Sequence, residues 1–438
     1  MAVRHPMSTT WSDETPLRST PTETPEPAVA GDRGLRTPAV VHLGVGGLRL
    51  AHHAVCLHEV VRRRLSDDWG LVHVELRPPG EDGLIRLDRE RDHRVQLPGT
   101  SSPEFREVEV LTEFTTSADD SAAVLDVLAD PATRLVTLRV SEEQEFFGLC
   151  AAPEHPAARI AHGYLVRALA RRRDAGLPPF TVLSCDPVPR NGARTRDAVL
   201  ELARRTDPLL ADWIGRDVRF PGSLVDPTLP GGSALPFRWV VEDDFGHGRP
   251  PLEEAGAHLV THTAPHEQLR MHLLDGARCA LGLVGGTAGA RTTAEALADP
   301  RVRAFLGGFL EEAASSLLHV PGVDLPGYRA AVLARLAGAD EPLPRSGSAA
   351  VSAVVLPSLR QALDHYRPRR HLVLAVAVWL LTLPGSGGDA RTMLRQHHAL
   401  LGTLADDPHL TAELQEALVL LAAGTFDPRP TDAPEETP

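Results

Sequence analysis

The chain has 438 residues, 42% of them hydrophobic and 24% charged, the proportions of a globular protein with room for two or three domains. A formal net charge of −13 argues against a general nucleic-acid-binding face, and no apolar run is long enough to span a membrane. All 45 Lys+Arg residues are arginine, so no side chain can offer the neutral amine that a lysine base would supply.

Residues 1–37 are rich in Pro, Thr, Glu and Ser without apolar periodicity, and read as a disordered arm. The end of the chain, 426–438, reads the same way. Ala39–Leu43 is an apolar run ending at glycine and reads as a buried strand. Gly44, Val45, Gly46 and Gly47 follow, and then a helical pattern to about Leu65. A second strand is expected over Leu71–Leu76, with others over Arg134–Val140 and Phe180–Ser184. Helices are expected over Ala157–Ala175 and Gly192–Ala203. Strands alternating with helices imply a parallel α/β sheet. From about Pro250 the pattern is mainly helical, and the apolar run Leu372–Leu383 reads as a buried helix. The expected fold is therefore α/β: a Rossmann-like parallel-sheet domain over 38–245, then a mainly α-helical domain over 246–425. The four cysteines form no CxxC pair, which argues against a metal centre or a disulfide framework and fits a reduced, cytoplasmic setting.

A strand, a glycine turn and a helix in that order are the setting in which a GxG pair binds a dinucleotide. Gly44 permits the turn, and Gly46 lets the backbone approach a pyrophosphate at the helix N-terminus. Arg49 stands where the third glycine of the common fingerprint would be. Glu75, at the end of the second strand, is placed to accept ribose hydroxyls, although it lies further on than the usual ~20 residues. A ligand-free turn and an exposed strand-end carboxylate are the alternatives.

Several segments together resemble the mannitol dehydrogenase family, the long-chain polyol dehydrogenases. They include His42-Leu43-Gly44-Val45-Gly46 with Ala51-His52, and Thr181–Asp186 followed by Asn191-Gly192. Others are Phe220–Pro230, Trp239–Asp243 with Phe245 and Arg249-Pro250, Glu267–Gly276, Tyr328-Arg329, Leu356-Pro357 and Trp379. The likeness runs in order from about 39 to 420. It implies a Rossmann domain plus a helical domain, NAD or NADP as cofactor, and a sugar alcohol as substrate. It also implies a lysine general base, two asparagines that hold the oxyanion and a histidine that orients the substrate.

The lysine, one asparagine and the histidine lie on one helix in the family, spaced K-x4-N-x2-H, and here those positions are Arg270, Asp275 and Arg278. The other asparagine should follow Ser184-Cys185-Asp186, where this chain has Pro187. The arginine of the family's RAH element is Leu50, the arginine after its VD pair is Pro227, and the lysine of its DGS-x-K element is Ala350. Arginine cannot accept the hydroxyl proton, proline has no donor, and an ionised aspartate repels an oxyanion.

The acids Glu142 and Glu267 survive. Glu267 is expected to pair with Arg270, and Asp275 with Arg278. The sequence thus leaves three readings. One is a catalytically impaired or repurposed member of the family. The second is an active oxidoreductase on a sugar alcohol or an anionic derivative such as a sugar phosphate or uronate, with Arg270 and Arg278 facing the substrate or His272 as base. The third is a protein-interaction module without nucleotide.

Overall fold

The computed structural model describes residues 37–45, 52–76, 94–97, 104–108, 110–116, 121–140, 156–229, 235–317, 319–338, 341–385 and 388–423. The expected arm (apart from Thr37) and tail lie outside these residues, as do Gly46, Gly47, Arg49, Leu50, Ala51 and Glu142.

The strands, in chain order, are β1 (Val40–Gly44), β2 (Leu71–Glu75), β3 (Arg94–Leu97), β4 (Glu104–Glu107), β5 (Leu111–Thr116), β6 (Leu135–Arg139), β7 (Thr181–Ser184), β8 (Ser223–Asp226), β9 (Arg238–Glu242) and β10 (His258–Val260). Strands β5-β2-β1-β6-β7 form one parallel sheet in that order. The order reverses at β1, so the crevice between the carboxyl ends of β1 and β6 is the topological switch point, where open α/β sheets bind ligands. A smaller sheet, β10-β9-β8, and a β3-β4 hairpin flank it. The strands expected from sequence all form. The strands β3–β5 and β8–β10 did not stand out, because they are short and lack clear apolar patterning.

Helices α1 (His52–Arg62), α2 (Ser121–Ala129), α3 (Pro156–Asp174), α4 (Asn191–Thr206) and α5 (Pro208–Asp217) accompany the sheets. Alternation along each strand sends Val41, Leu43, Val72, Val74, Val136 and Leu138 into one core, with α2–α5. The other face meets α1, and its polarity changes in steps along the strands. Val40 lies beside Leu71 and Leu135, then His42 beside His73 and Thr137, then Gly44 beside Glu75 and Arg139. The apolar row anchors α1, and the charged row sits at the carboxyl edge.

From Ala264 onward the chain is mainly helical. Helix α6 (Ala264–Leu269) runs through a π-helical turn, Arg270–Asp275, into α7 (Gly276–Thr287). Next come α8 (Thr293–Ala298), α9 (Pro300–Ser315) and α10 (Leu325–Gly338). The apolar helix Arg370–Thr382 buries Trp379 completely at the centre of this half's core. Glu312 caps that helix, accepting from the backbone N–H of His371 (2.8 Å) and Leu372 (3.0 Å). No helix among the described residues is long and apolar enough to cross a membrane.

The middle row of the α1 face has a measurable consequence. Thr137 Oγ1 lies 2.9 Å from His42 Nδ1 and 3.0 Å from His53 Nε2. A hydroxyl has one proton to give, so at least one of the two imidazoles must donate to it. Burial, and then mutual repulsion among the histidines and with Arg139, keeps both rings neutral, with His42 well below its ordinary value and His53 at about 3. The unfolded chain protonates them below about pH 6.5, where the folded chain does not. Stability is therefore complete above that value and falls as pH drops, by at most about 1.4 kcal/mol per pH unit for each ring. Urea midpoints should drop clearly between pH 7.5 and 5.5, and His53→Gln should flatten the decline. Equal pH slopes for both proteins would refute this assignment.

Candidate active site

The loop after β7 and the turn around Arg270 face each other across a cleft that opens to solvent. Asp186, Pro187, Ser223, Glu267, Arg270 and Asp275 are among its lining residues.

One wall is fixed by the Asn191-Gly192 pair at the start of α4. Buried Asn191 donates through Nδ2 to the carbonyls of Asp186 (2.9 Å) and Ser223 (2.7 Å), and its Oδ1 accepts from the N–H of Gly192 (2.8 Å) and Ser223 (3.1 Å). All four hydrogen-bonding capacities of the amide are used, which pins the β7 loop to β8. Gly192 has no alternative, because a Cβ there would lie 2.5 Å from the Phe220 carbonyl oxygen and 2.7 Å from that of Pro221. Asp186 accepts from Val140 N–H (2.8 Å) and from the Ser184 hydroxyl (3.3 Å). This makes it a loop brace.

The opposite wall departs from expectation. Glu267 does not pair with Arg270. It accepts instead from the backbone N–H of Arg190 (3.1 and 3.2 Å) and from the Thr263 hydroxyl (3.0 Å). Arg190 adopts the left-handed conformation (φ 56°) that turns its N–H toward this carboxylate. Burial raises the Glu267 carboxyl above its ordinary value, against these hydrogen bonds. Nor does Asp275 pair with Arg278. Arg278 is bridged by Glu341 (3.2 Å), and Arg270 Nε is the cation nearest Asp275 Oδ2, at 3.7 Å. The π turn brings residues five apart onto one face, which sets Arg270 beside Asp275. Arg270 also donates through Nη1 to the Val225 carbonyl (3.0 Å).

The structure therefore brings Pro187, Arg270 and Asp275 to one cleft, while Arg278 is turned toward Glu341 and is not among the lining residues. Asp275 is buried, and its Oδ1 has no hydrogen-bond partner among the described residues. Its carboxyl is pushed up by burial, against the pull of Arg270 and Arg278. His272 points away into the core, where burial holds it neutral, at about 4. Ala350 is buried and offers no polar group.

At the carboxyl edge of the parallel sheet, Gly44 is buried and Val45 N–H donates to the Arg139 carbonyl (3.1 Å). Glu75 is buried beside Gly44, with an oxygen 3.3 Å from His73 Nε2, so the exposed strand-end alternative is excluded. Sequence reading missed Arg335 and Glu341, whose remoteness in the chain hid their proximity to Arg278. It also missed the bond between Tyr328 and Asp226.

The family model for the mannitol dehydrogenase Rossmann domain matches residues 38–254, and that for the mannitol dehydrogenase C-terminal domain matches 262–418. The chain belongs to the mannitol dehydrogenase family. A mannitol 2-dehydrogenase of Cereibacter sphaeroides is 32% identical, over 80% of this chain and 81% of that protein. The D-mannonate oxidoreductase of Escherichia coli K12 is 31% identical, over 78% of this chain and 79% of that one. The Pseudomonas fluorescens mannitol 2-dehydrogenase, solved as a ternary complex with NAD and D-mannitol, superposes with a TM-score of 0.69 at 25% identity, covering 90% of this chain and 94% of that one.

Within this family architecture, one buried hydrogen bond ties the helical half to the strand half. Tyr328 on α10 donates to Asp226 Oδ2 on β8 at 2.8 Å, and Asp226 Oδ1 accepts from Thr228 N–H at 2.8 Å. Tyr328→Phe should lower unfolding free energy by about 2 kcal/mol, since a buried carboxylate would lose a donor. Denaturant titration checks this, and an unchanged midpoint would remove Tyr328 from the docking account.

Proposed function

We propose that this chain is a nicotinamide-dinucleotide-binding member of the mannitol dehydrogenase family in which lysine-based oxidation of sugar alcohols is impaired. The observation that carries the reading is the placement of Arg270 in the cleft, opposite Pro187 and beside Asp275.

The carboxyl edge of the parallel sheet suits a dinucleotide. Gly44 keeps the end of β1 free of a side chain where a diphosphate would approach, and Arg139 stands one strand away. Glu75 on the neighbouring strand would accept the ribose hydroxyls and repel a 2′-phosphate, which favours NAD over NADP. A bound nicotinamide would supply hydride exchange with a carbinol or carbonyl carbon. The cleft between the β7 loop and Arg270 would hold the substrate.

The chain's own residues then limit the reaction. Oxidation requires the hydroxyl proton to leave, and a guanidinium keeps its proton. Arg270 is moreover occupied by Asp275 and the Val225 carbonyl, and Arg278 by Glu341. The same pairing weakens the reading of an anionic sugar derivative held by two arginines, because each already faces a carboxylate. Pro187 supplies no donor to an oxyanion.

Calorimetric titration should give micromolar binding of NADH and weaker binding of NADPH. Mannitol oxidation should run at least about a hundredfold below that of lysine-bearing relatives, the scale of a lost general base. Arg270→Lys alone should recover less than about tenfold, since Pro187 and Asp275 remain. Failure to bind either nucleotide would overturn the proposed function, and full recovery in the single variant would overturn the account of the cleft.

A further inference from the structure

Three carboxylates line the cleft, and their hydrogen bonds separate them. Asp186 is taken up by Val140 N–H and the Ser184 hydroxyl, and Glu267 by Arg190 N–H and the Thr263 hydroxyl. Asp275 alone keeps an oxygen, Oδ1, without a hydrogen-bond partner among the described residues, while Oδ2 faces Arg270 at ion-pair distance. A buried carboxylate oxygen left unpaired is costly, unless a proton or a ligand donor completes it. We infer that Asp275 is the residue of this cleft that exchanges a proton with the substrate oxygen, in place of the amine base that the chain lacks. This rests on the reading of the cleft as an alcohol/carbonyl site served by a nicotinamide dinucleotide.

The step balances. In oxidation the substrate O–H proton would pass to the Asp275 carboxylate, the carbinol C–H pair would leave as hydride to an oxidised nicotinamide, and a C=O bond would form. In reduction the carbonyl carbon would gain hydride from a reduced nicotinamide, and its oxygen would take the proton from the Asp275 carboxyl. An ionised Asp275 repels an oxyanion, as the sequence reading holds, whereas a protonated one donates to it. The carboxyl therefore suits reduction at mildly acidic pH.

Several charges bear on the group. Arg270 acts from the π turn, Arg278 from α7 and Asp226 from β8, while the Cys279 thiol lies within electrostatic reach on α7. The two arginines favour the ionised form. Burial outweighs them, with Asp226 acting in the same sense, and lifts the carboxyl above its ordinary value. Proton exchange thereby moves toward neutral pH, where a general acid is most effective.

The test compares wild type, Asp275→Asn and Asp275→Ala, with circular dichroism confirming that each is folded. Fructose and fructuronate reduction by NADH is followed from pH 5 to 9. The wild-type rate should fall about tenfold per pH unit above the Asp275 titration. Asp275→Asn should be at least about a hundredfold slower in the acid range and flat with pH, because its amide donates a hydrogen bond but transfers no proton. A second readout needs no nucleotide. The 13C spectrum of aspartate-labelled protein should show one carboxyl titrating above the ordinary aspartate range and missing from Asp275→Asn. If nucleotide binds but the rate and profile ignore Asp275→Asn, or if Asp275 titrates at or below its ordinary value, the inference is wrong and the functional reading stands. If no nucleotide binds, the functional reading falls and this inference with it.

Discussion

A guanidinium in a half-buried cleft must be neutralised where it stands, because it cannot shed its proton as a buried lysine can. Arg270 meets this demand with Asp275, its charge partner, and the Val225 carbonyl, and Arg278 meets it with Glu341. The bond to Val225 joins the π turn to β8. The turn faces the strand-bearing half of the chain, so its charges also set how that half meets the helical half, where Tyr328 and Asp226 form a further buried link.

The sheet imposes a second order on the molecule. Its α1 face runs from an apolar row through a histidine–threonine row to the Glu75–Gly44–Arg139 row at the carboxyl edge. Each step moves toward the end where a ligand would arrive. The apolar row holds α1 in place. The neutral imidazoles allow polar contacts without a buried charge, and formal charge appears only at the edge. The same face explains why Gly44 is glycine: a Cβ there would come within 2.7 Å of the His42 ring, so the middle row and the end of β1 are sterically coupled.

Most of this architecture was legible in the sequence where a physical period or a fixed turn carried it. The runs that became β1, β2, β6 and β7 have apolar positions dense enough to read, and α3 and α4 carry helical spacing. Asn191-Gly192 stood out as a motif, yet its role as a clamp on the β7 loop depends on Ser223, 32 residues away in sequence. The cleft's pairings were misread for a local reason. Spacings of three presuppose an α-helix, whereas the π turn sets Arg270 beside Asp275, five residues on, and Arg190 occupies Glu267. Glu341 and Arg335 were invisible because only folding brings them to Arg278.

Arg270 and Asp275 are best understood as one unit. Arginine at 270 fixes a permanent cation in a place where water is scarce, and an asparagine at 275 could not neutralise it. Aspartate can, although Arg270 Nε and Asp275 Oδ1 keep no hydrogen-bond partner among the described residues, and removing either member alone would leave the other uncompensated at a cost of about 3–5 kcal/mol if the pair were fully buried. Arg270 and Asp275 are both largely shielded, with side-chain exposures of 21% and 10%, so the cost here lies somewhat below that range. Removing the charge at 270 or at 275 alone is therefore disfavoured on stability grounds before chemistry is considered, because either change leaves the partner's charge uncompensated. A cleft paired in this way is held by electrostatics, and the proton exchange inferred for it falls to the carboxylate that neutralises the arginine.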